Sequence, residues 1–92
     1  MSDNPVAIVT GGSRGVGAAT ARMLSENGWN VVITCSSSLK DADQVAKNCT
    51  NENAEVVALQ ADVSKDLECI ATINKAIEKW GRIDALINNA GT

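Results

Sequence analysis

Ninety-two residues, 45% of them hydrophobic, suffice for one small core and place the chain near the lower edge of independent stability, because so short a chain buries a modest share of its surface. A formal net charge of -3, with eight Lys and Arg scattered along the sequence, provides no basic stripe and argues against a nucleic-acid partner. The opening Met1-Ser2-Asp3-Asn4-Pro5 is polar and acidic, and no apolar run approaches the roughly 20 residues of a bilayer span, so a cytoplasmic location with no membrane partner is expected.

The first apolar run, Val6-Ala7-Ile8-Val9-Thr10, is continuous rather than alternating and ends in glycines, which fits a strand buried on both faces. A glycine-rich turn spans residues 11–17, and Val16, Thr20, Met23, Leu24 and Asn27 then recur at helical spacing until Gly28, a natural residue just past a helix end. Val31-Val32-Ile33-Thr34 is a second, β-branched strand. The hydroxyls of Ser36, Ser37 and Ser38 can cap a second helix outlined by Leu39, Ala42, Val45, Ala46 and Cys49 and ended by the polar residues 48–53. Residues 55–60 form a third strand. After Asp62-Val63-Ser64, residues Ile70, Ile73, Ile77 and Trp80 trace one face of a third helix stopped by Gly81, and Ala85-Leu86-Ile87-Asn88 is a fourth strand.

Strand and helix alternate throughout with short connections, so right-handed crossovers lay the strands parallel with helices on both faces. The expected fold class is α/β, a Rossmann-type doubly wound sheet of order 3-2-1-4 filling one domain over residues 1–92. Such sheets bind ligands at the C-terminal ends of their strands, beside the point where the strand order reverses. The three cysteines lack a C-x-x-C pair and the chain has no His, so they read as reduced packing residues and no metal site is expected. Trp29 and Trp80 read as packing residues at helix ends rather than as platforms for a base.

Thr10-Gly11-Gly12-Ser13-Arg14-Gly15-Val16-Gly17 lies between a buried strand and an amphipathic helix, the context in which a glycine loop binds phosphate. Gly11 permits a tight turn, Gly15 lets the backbone approach a pyrophosphate, and Gly17 lets the helix pack closely on the sheet. The free amides and positive dipole end of that helix then face the anion. The spacing is G-x-x-x-G-x-G, with no Gly-Lys-Ser/Thr ending, which disfavours an ATPase. A purely structural glycine turn is the alternative.

This loop, Asp62-Val63 and Asn88-Asn89-Ala90-Gly91 together resemble the successive N-terminal signatures of the short-chain dehydrogenase/reductase family, in order and each after an expected strand. Within the family the sequence looks closest to members similar to 3-oxoacyl-acyl-carrier-protein reductases and to sugar or alcohol dehydrogenases. The resemblance implies an NAD(P) site held by the loop residues Gly11, Ser13, Arg14, Gly15, Val16 and Gly17. It also implies that Asp62 and Val63 flank the adenine, with the Asp62 carboxylate accepting from the exocyclic amine, and that Asn88, Ala90 and Gly91 line the ribose near the nicotinamide. A solvated helix-start acid is the plainer reading of Asp62, and a polar strand end that ties neighbouring loops together is that of Asn88 and Asn89. Thr10 is expected to brace the turn.

NADP is favoured over NAD, because Cys35 stands where the family's ribose-binding Asp would be, so no carboxylate repels a 2′-phosphate. Ser36 and Ser37, with Ser38, offer donors, and Arg14 a countercharge; Lys40 is a weaker candidate whose plainer reading is a solvated first-turn residue. The family's catalytic Ser and Tyr-x-x-x-Lys have no counterpart in a sequence without Tyr, so no catalytic residue is assigned. The resemblance therefore implies the cofactor-binding half of an oxidoreductase acting on a small carbonyl or alcohol, a homo-oligomer when complete, with this chain alone inactive. A nucleotide-binding fragment or scaffold module is the alternative.

Overall fold

The computed structural model describes residues 3–11, 15–36, 39–62 and 64–89. Strand β1 (Val6–Val9) is buried at every position, because it runs between β2 (Asn30–Cys35) and β4 (Ala85–Ile87) and is covered on both faces. With β3 (Val56–Gln60) the sheet has the order β3-β2-β1-β4, every pair parallel, as expected. The register Val9↔Ile87 brings the C-terminal ends of β1 and β4 level, Cys35↔Gln60 does the same for β2 and β3, and because Val9 pairs with Ile33, β2 runs on past the end of β1 to Cys35.

Side chains alternate along each strand. Val9, Val31, Ile33 and Cys35 point into one apolar cluster, which helices α1 (Gly15–Glu26) and α2 (Leu39–Cys49) close with Ala21, Ala42, Ala46 and Cys49. Trp29 packs against that cluster. Val6, Ile8 and Val32 point to the other face, covered by Ala76 and Trp80 of α3 (Asp66–Trp80). Both tryptophans therefore pack, as expected.

Helix α2 buries the expected face, with Ala42, Ala46 and Cys49 inward and Leu39 and Val45 packed beside them, but α1 and α3 differ from expectation in the faces they bury. In α1 the inward residues are Gly17, Ala21 and Ser25, while Val16 and Met23 are 72% and 56% exposed. In α3 they are Thr72, Ala76 and Trp80; Ile70, Ile73 and Ile77 lie about 100° round the helix and remain substantially exposed. The physical reason is distance: small residues at i, i+4 let a helix sit close on the sheet, and the hydroxyls of Ser25 and Thr72 are satisfied by the helix carbonyls of Arg22 and Glu68, both at 2.9 Å. The helix stops behave as expected. Gly28 and Gly81 are left-handed, with φ of 85° and 79°, and the Trp29 N–H closes α1 on the Leu24 carbonyl at 3.0 Å.

Candidate functional site

The described candidate residues gather on one crest, the C-terminal ends of the four strands, and hydrogen bonds join that crest from edge to edge. Between β3 and β2, Ala61 N–H donates to the Cys35 carbonyl at 2.9 Å and the Gln60 amide to the Ser36 carbonyl at 3.3 Å. Between β2 and β1, the Gly11 N–H points at Thr34 Oγ1, 3.4 Å away. Between β1 and β4, Thr10 N–H donates to the Ile87 carbonyl at 3.0 Å. The Thr10 hydroxyl lies 3.1 Å from Asn88 Oδ1 and accepts the Asn89 N–H at 2.8 Å. Thr10 thus braces the turn, as its position before the glycines implies.

Gly11 and Gly15 have φ of 69° and 62°, a region that side-chain-bearing residues rarely occupy. At Gly15 a Cβ would meet nothing within 4 Å, so the backbone there borders open space. Gly17 works differently. A Cβ on it would collide with the Gly11 carbonyl oxygen and come within 2.9 Å of Asn89 Nδ2. Its missing side chain lets the first turn of α1 lie directly against the ends of β1 and β4, the close packing expected of this glycine. The first turn of α1 carries no acid and Val16 is exposed there; with an open backbone and a positive dipole end, these residues fit a pyrophosphate. Ser13 and Arg14 lie outside the described residues, as do Ser37, Ser38, Val63, Ala90 and Gly91.

At the end of β2, Cys35 is buried in the α1/α2 cluster beside Ala42 and Ala46, and Ser36 is the first exposed side chain. No acid occupies either position. An acid at Cys35 itself would have to enter apolar packing, whereas a side chain at Ser36 is open to solvent. At the end of β3, Asp62 Oδ1 accepts from Ser64 N–H at 3.0 Å and from Ser64 Oγ at 2.5 Å. The Ser64 hydroxyl and amide hold the Asp62 carboxyl below the usual carboxylate range. The Asp62 N–H donates to Glu68 Oε1 at 2.8 Å.

Thr34, Ser64 and Glu68 were not singled out by the sequence. The available signals were a β-branched hydroxyl one residue before the end of a buried strand, and an acid in the first turn of the helix that follows Asp62. Lys40 is exposed in the first turn of α2, which suits its plainer reading. Cys35, Cys49 and Cys69 are free thiols; burial pushes that of Cys49 up, away from reactivity. Among the described residues no cluster of His, Cys, Asp or Glu could hold a metal, and no helix is long and apolar enough to cross a membrane.

The short chain dehydrogenase family model matches residues 5–92. The chain is 42% identical over 86 residues to a 3-oxoacyl-[acyl-carrier-protein] reductase of Synechocystis, covering 94% of this chain and 35% of the relative. It is 39% identical over 89 residues to an uncharacterized oxidoreductase of Methylorubrum extorquens, covering 97% and 36%. The crystal structure of a short-chain dehydrogenase/reductase from Burkholderia xenovorans superposes with a TM-score of 0.91 at 39% identity, over 100% of this chain and 38% of the other. The chain thus spans little more than a third of the length of these relatives.

Proposed function

The chain belongs to the short-chain dehydrogenase/reductase family, and from that premise we propose that it is the NADP-binding part of a cytoplasmic oxidoreductase. The site consists of Gly11, Ser13, Arg14, Gly15, Val16, Gly17, Ser36, Ser37, Asp62, Val63, Asn88, Ala90 and Gly91. The observation that carries this reading is the convergence of the left-handed glycine turn, exposed Ser36, Asp62 and Asn88 on one hydrogen-bonded crest. NADPH, when bound, supplies the hydride for a small carbonyl substrate. The chain's own residues bind and orient: the α1 end and glycine turn receive the pyrophosphate, Ser36 and Ser37 the 2′-phosphate with Arg14 as countercharge, Asp62 the adenine amine, and Asn88 the ribose near the nicotinamide.

Tyr is missing from the sequence, so the acid/base step must come from residues outside this span, in a complete, homo-oligomeric enzyme. The outward stripe of α3 (Leu67, Ile70, Ile77) and exposed Leu86 of β4 are the apolar face against which such residues would pack. Binding without turnover is the second reading, favoured by the same absence. Titration with NADPH and NADH tests the cofactor assignment: tighter NADPH binding is expected, and Ser36→Asp should shift the ratio toward NADH by about tenfold, one well-placed charge interaction. An unchanged ratio would remove Ser36 from the 2′-phosphate site. Carbonyl-dependent NADPH oxidation distinguishes enzyme from binding module.

A further inference from the structure

We propose that Glu68 is a positioning residue for the adenine end of the dinucleotide, fixing the Asp62 backbone so that its carboxylate is set for the base; this rests on the dinucleotide reading above. Glu68 is the third residue of α3, where an acid commonly reaches back to the amide of the residue capping the helix. Here it does something else. The cap residue Lys65 makes no side-chain cap bond, and its N–H goes to the Asp62 carbonyl at 3.0 Å. Glu68 Oε1 passes over Lys65 and accepts the N–H of Asp62, six residues back, at 2.8 Å, while Oε2 stands 3.9 Å from Lys65 Nζ.

Asp62 is consequently held at three places: its N–H by Glu68, its carbonyl by Lys65, and Oδ1 by Ser64. Among the described residues every hydrogen bond to the carboxylate falls on Oδ1, which leaves Oδ2 to accept from an exocyclic amine. Of the three, the Glu68 bond is the one that joins the incoming side of the loop, just after β3, to the body of α3. Removing it leaves the carboxylate bonded to Ser64 but lets the segment carrying both turn, so the ordering cost falls on ligand binding.

The competing role is a favourable charge at the α3 N-terminus, and substitution by Gln separates the two, since Gln keeps the acceptor oxygen and loses the charge. The chain is titrated with NADPH and with its hypoxanthine analogue, which carries a carbonyl oxygen in place of the exocyclic amine, and circular dichroism checks each variant's fold. Glu68→Ala should weaken NADPH binding roughly three- to tenfold, the worth of one net hydrogen bond, and Glu68→Gln should stay within about twofold of wild type. The hypoxanthine analogue, already without the amine contact, should lose less than about twofold in Glu68→Ala. Unchanged NADPH affinity in Glu68→Ala, equal losses for both bases, or a Gln variant as weak as the Ala variant overturns the proposal alone. Wild-type chain that binds neither NADPH nor NADH removes the dinucleotide reading, and this proposal with it.

Discussion

The β1–β2 centre and the α3–β4 flank use the same kinds of residue to opposite effect. At the centre every position of both strands is buried, whereas at the flank β4 is only partly covered and Leu67 of α3 is 82% exposed. Hydrophobicity alone therefore does not decide burial in this fold; cover on both faces does. The centre has helices above and below it. At the flank, Thr72, Ala76 and Trp80 of α3 face the sheet, and its large aliphatic residues form a second, outward surface.

The largest effect should come from the centre. Ile33→Ala removes a fully buried side chain from between α1 and α2 and should cost about 2–5 kcal/mol, enough to unfold much of so small a unit; a thermal melt close to wild type would contradict the sealed centre. Gly17→Ala comes next. Its Cβ collides with the Gly11 carbonyl backbone and crowds Asn89, so a loss of about 1–3 kcal/mol by denaturant titration is expected, as for overpacked sites, together with weaker nucleotide binding.

Acid should act where β4 joins β1. Asp84 accepts the Val6 N–H at 2.8 Å and pairs with Arg82 at 2.7 Å, and the Arg82 side-chain bond, then the Val6 amide, holds its carboxyl below the ordinary 3.8. Because the folded chain binds this proton less readily than the unfolded one, the contribution is present above pH 3.8 and is lost as pH falls through the lower folded value. Melts at pH 7 and pH 3 should show the loss, and Asp84→Asn should reduce the difference between them; Asp62, lowered by Ser64, adds to it in the same direction. The smallest effect belongs to the outward stripe: Ile70→Lys and Ile77→Lys should each change stability by less than about 0.5 kcal/mol while reducing self-association in sedimentation. A large destabilisation would mean that the stripe is packed after all.

Which parts of this were legible in the sequence follows from the same comparison. The runs at Val6 and Val31 are continuous because both faces are covered, so the strands, their order and the crest were readable. Gly28 and Gly81 marked helix ends because only a left-handed residue fits there. The α2 face was readable, but those of α1 and α3 were misread, since periodicity of large apolar residues pointed to Val16 and Ile70 when Gly17, Ala21, Thr72 and Ala76 face the sheet. Small residues carry little hydrophobic signal, although they decide how close a helix can lie. In the site, the glycines, Asp62 and Asn88 stood out by type and spacing. Thr34 meets the amide of Gly11 across the sheet and Glu68 reaches past the helix cap to that of Asp62, contacts that depend on register and turn geometry. Cys35 was legible as a packing residue; which cluster it joins required knowing which face of β2 the α1 and α2 helices cover.

The central claim is that the crest binds a nicotinamide dinucleotide through the glycine turn. Calorimetric titration of NADPH into wild type and Gly15→Asp tests it most directly, because Asp tolerates a left-handed backbone better than most residues while placing a negative charge in the open space at Gly15. Saturable binding to wild type, abolished in a folded Gly15→Asp variant, is the predicted result. No binding to wild type, or equal affinity in both, would contradict the account.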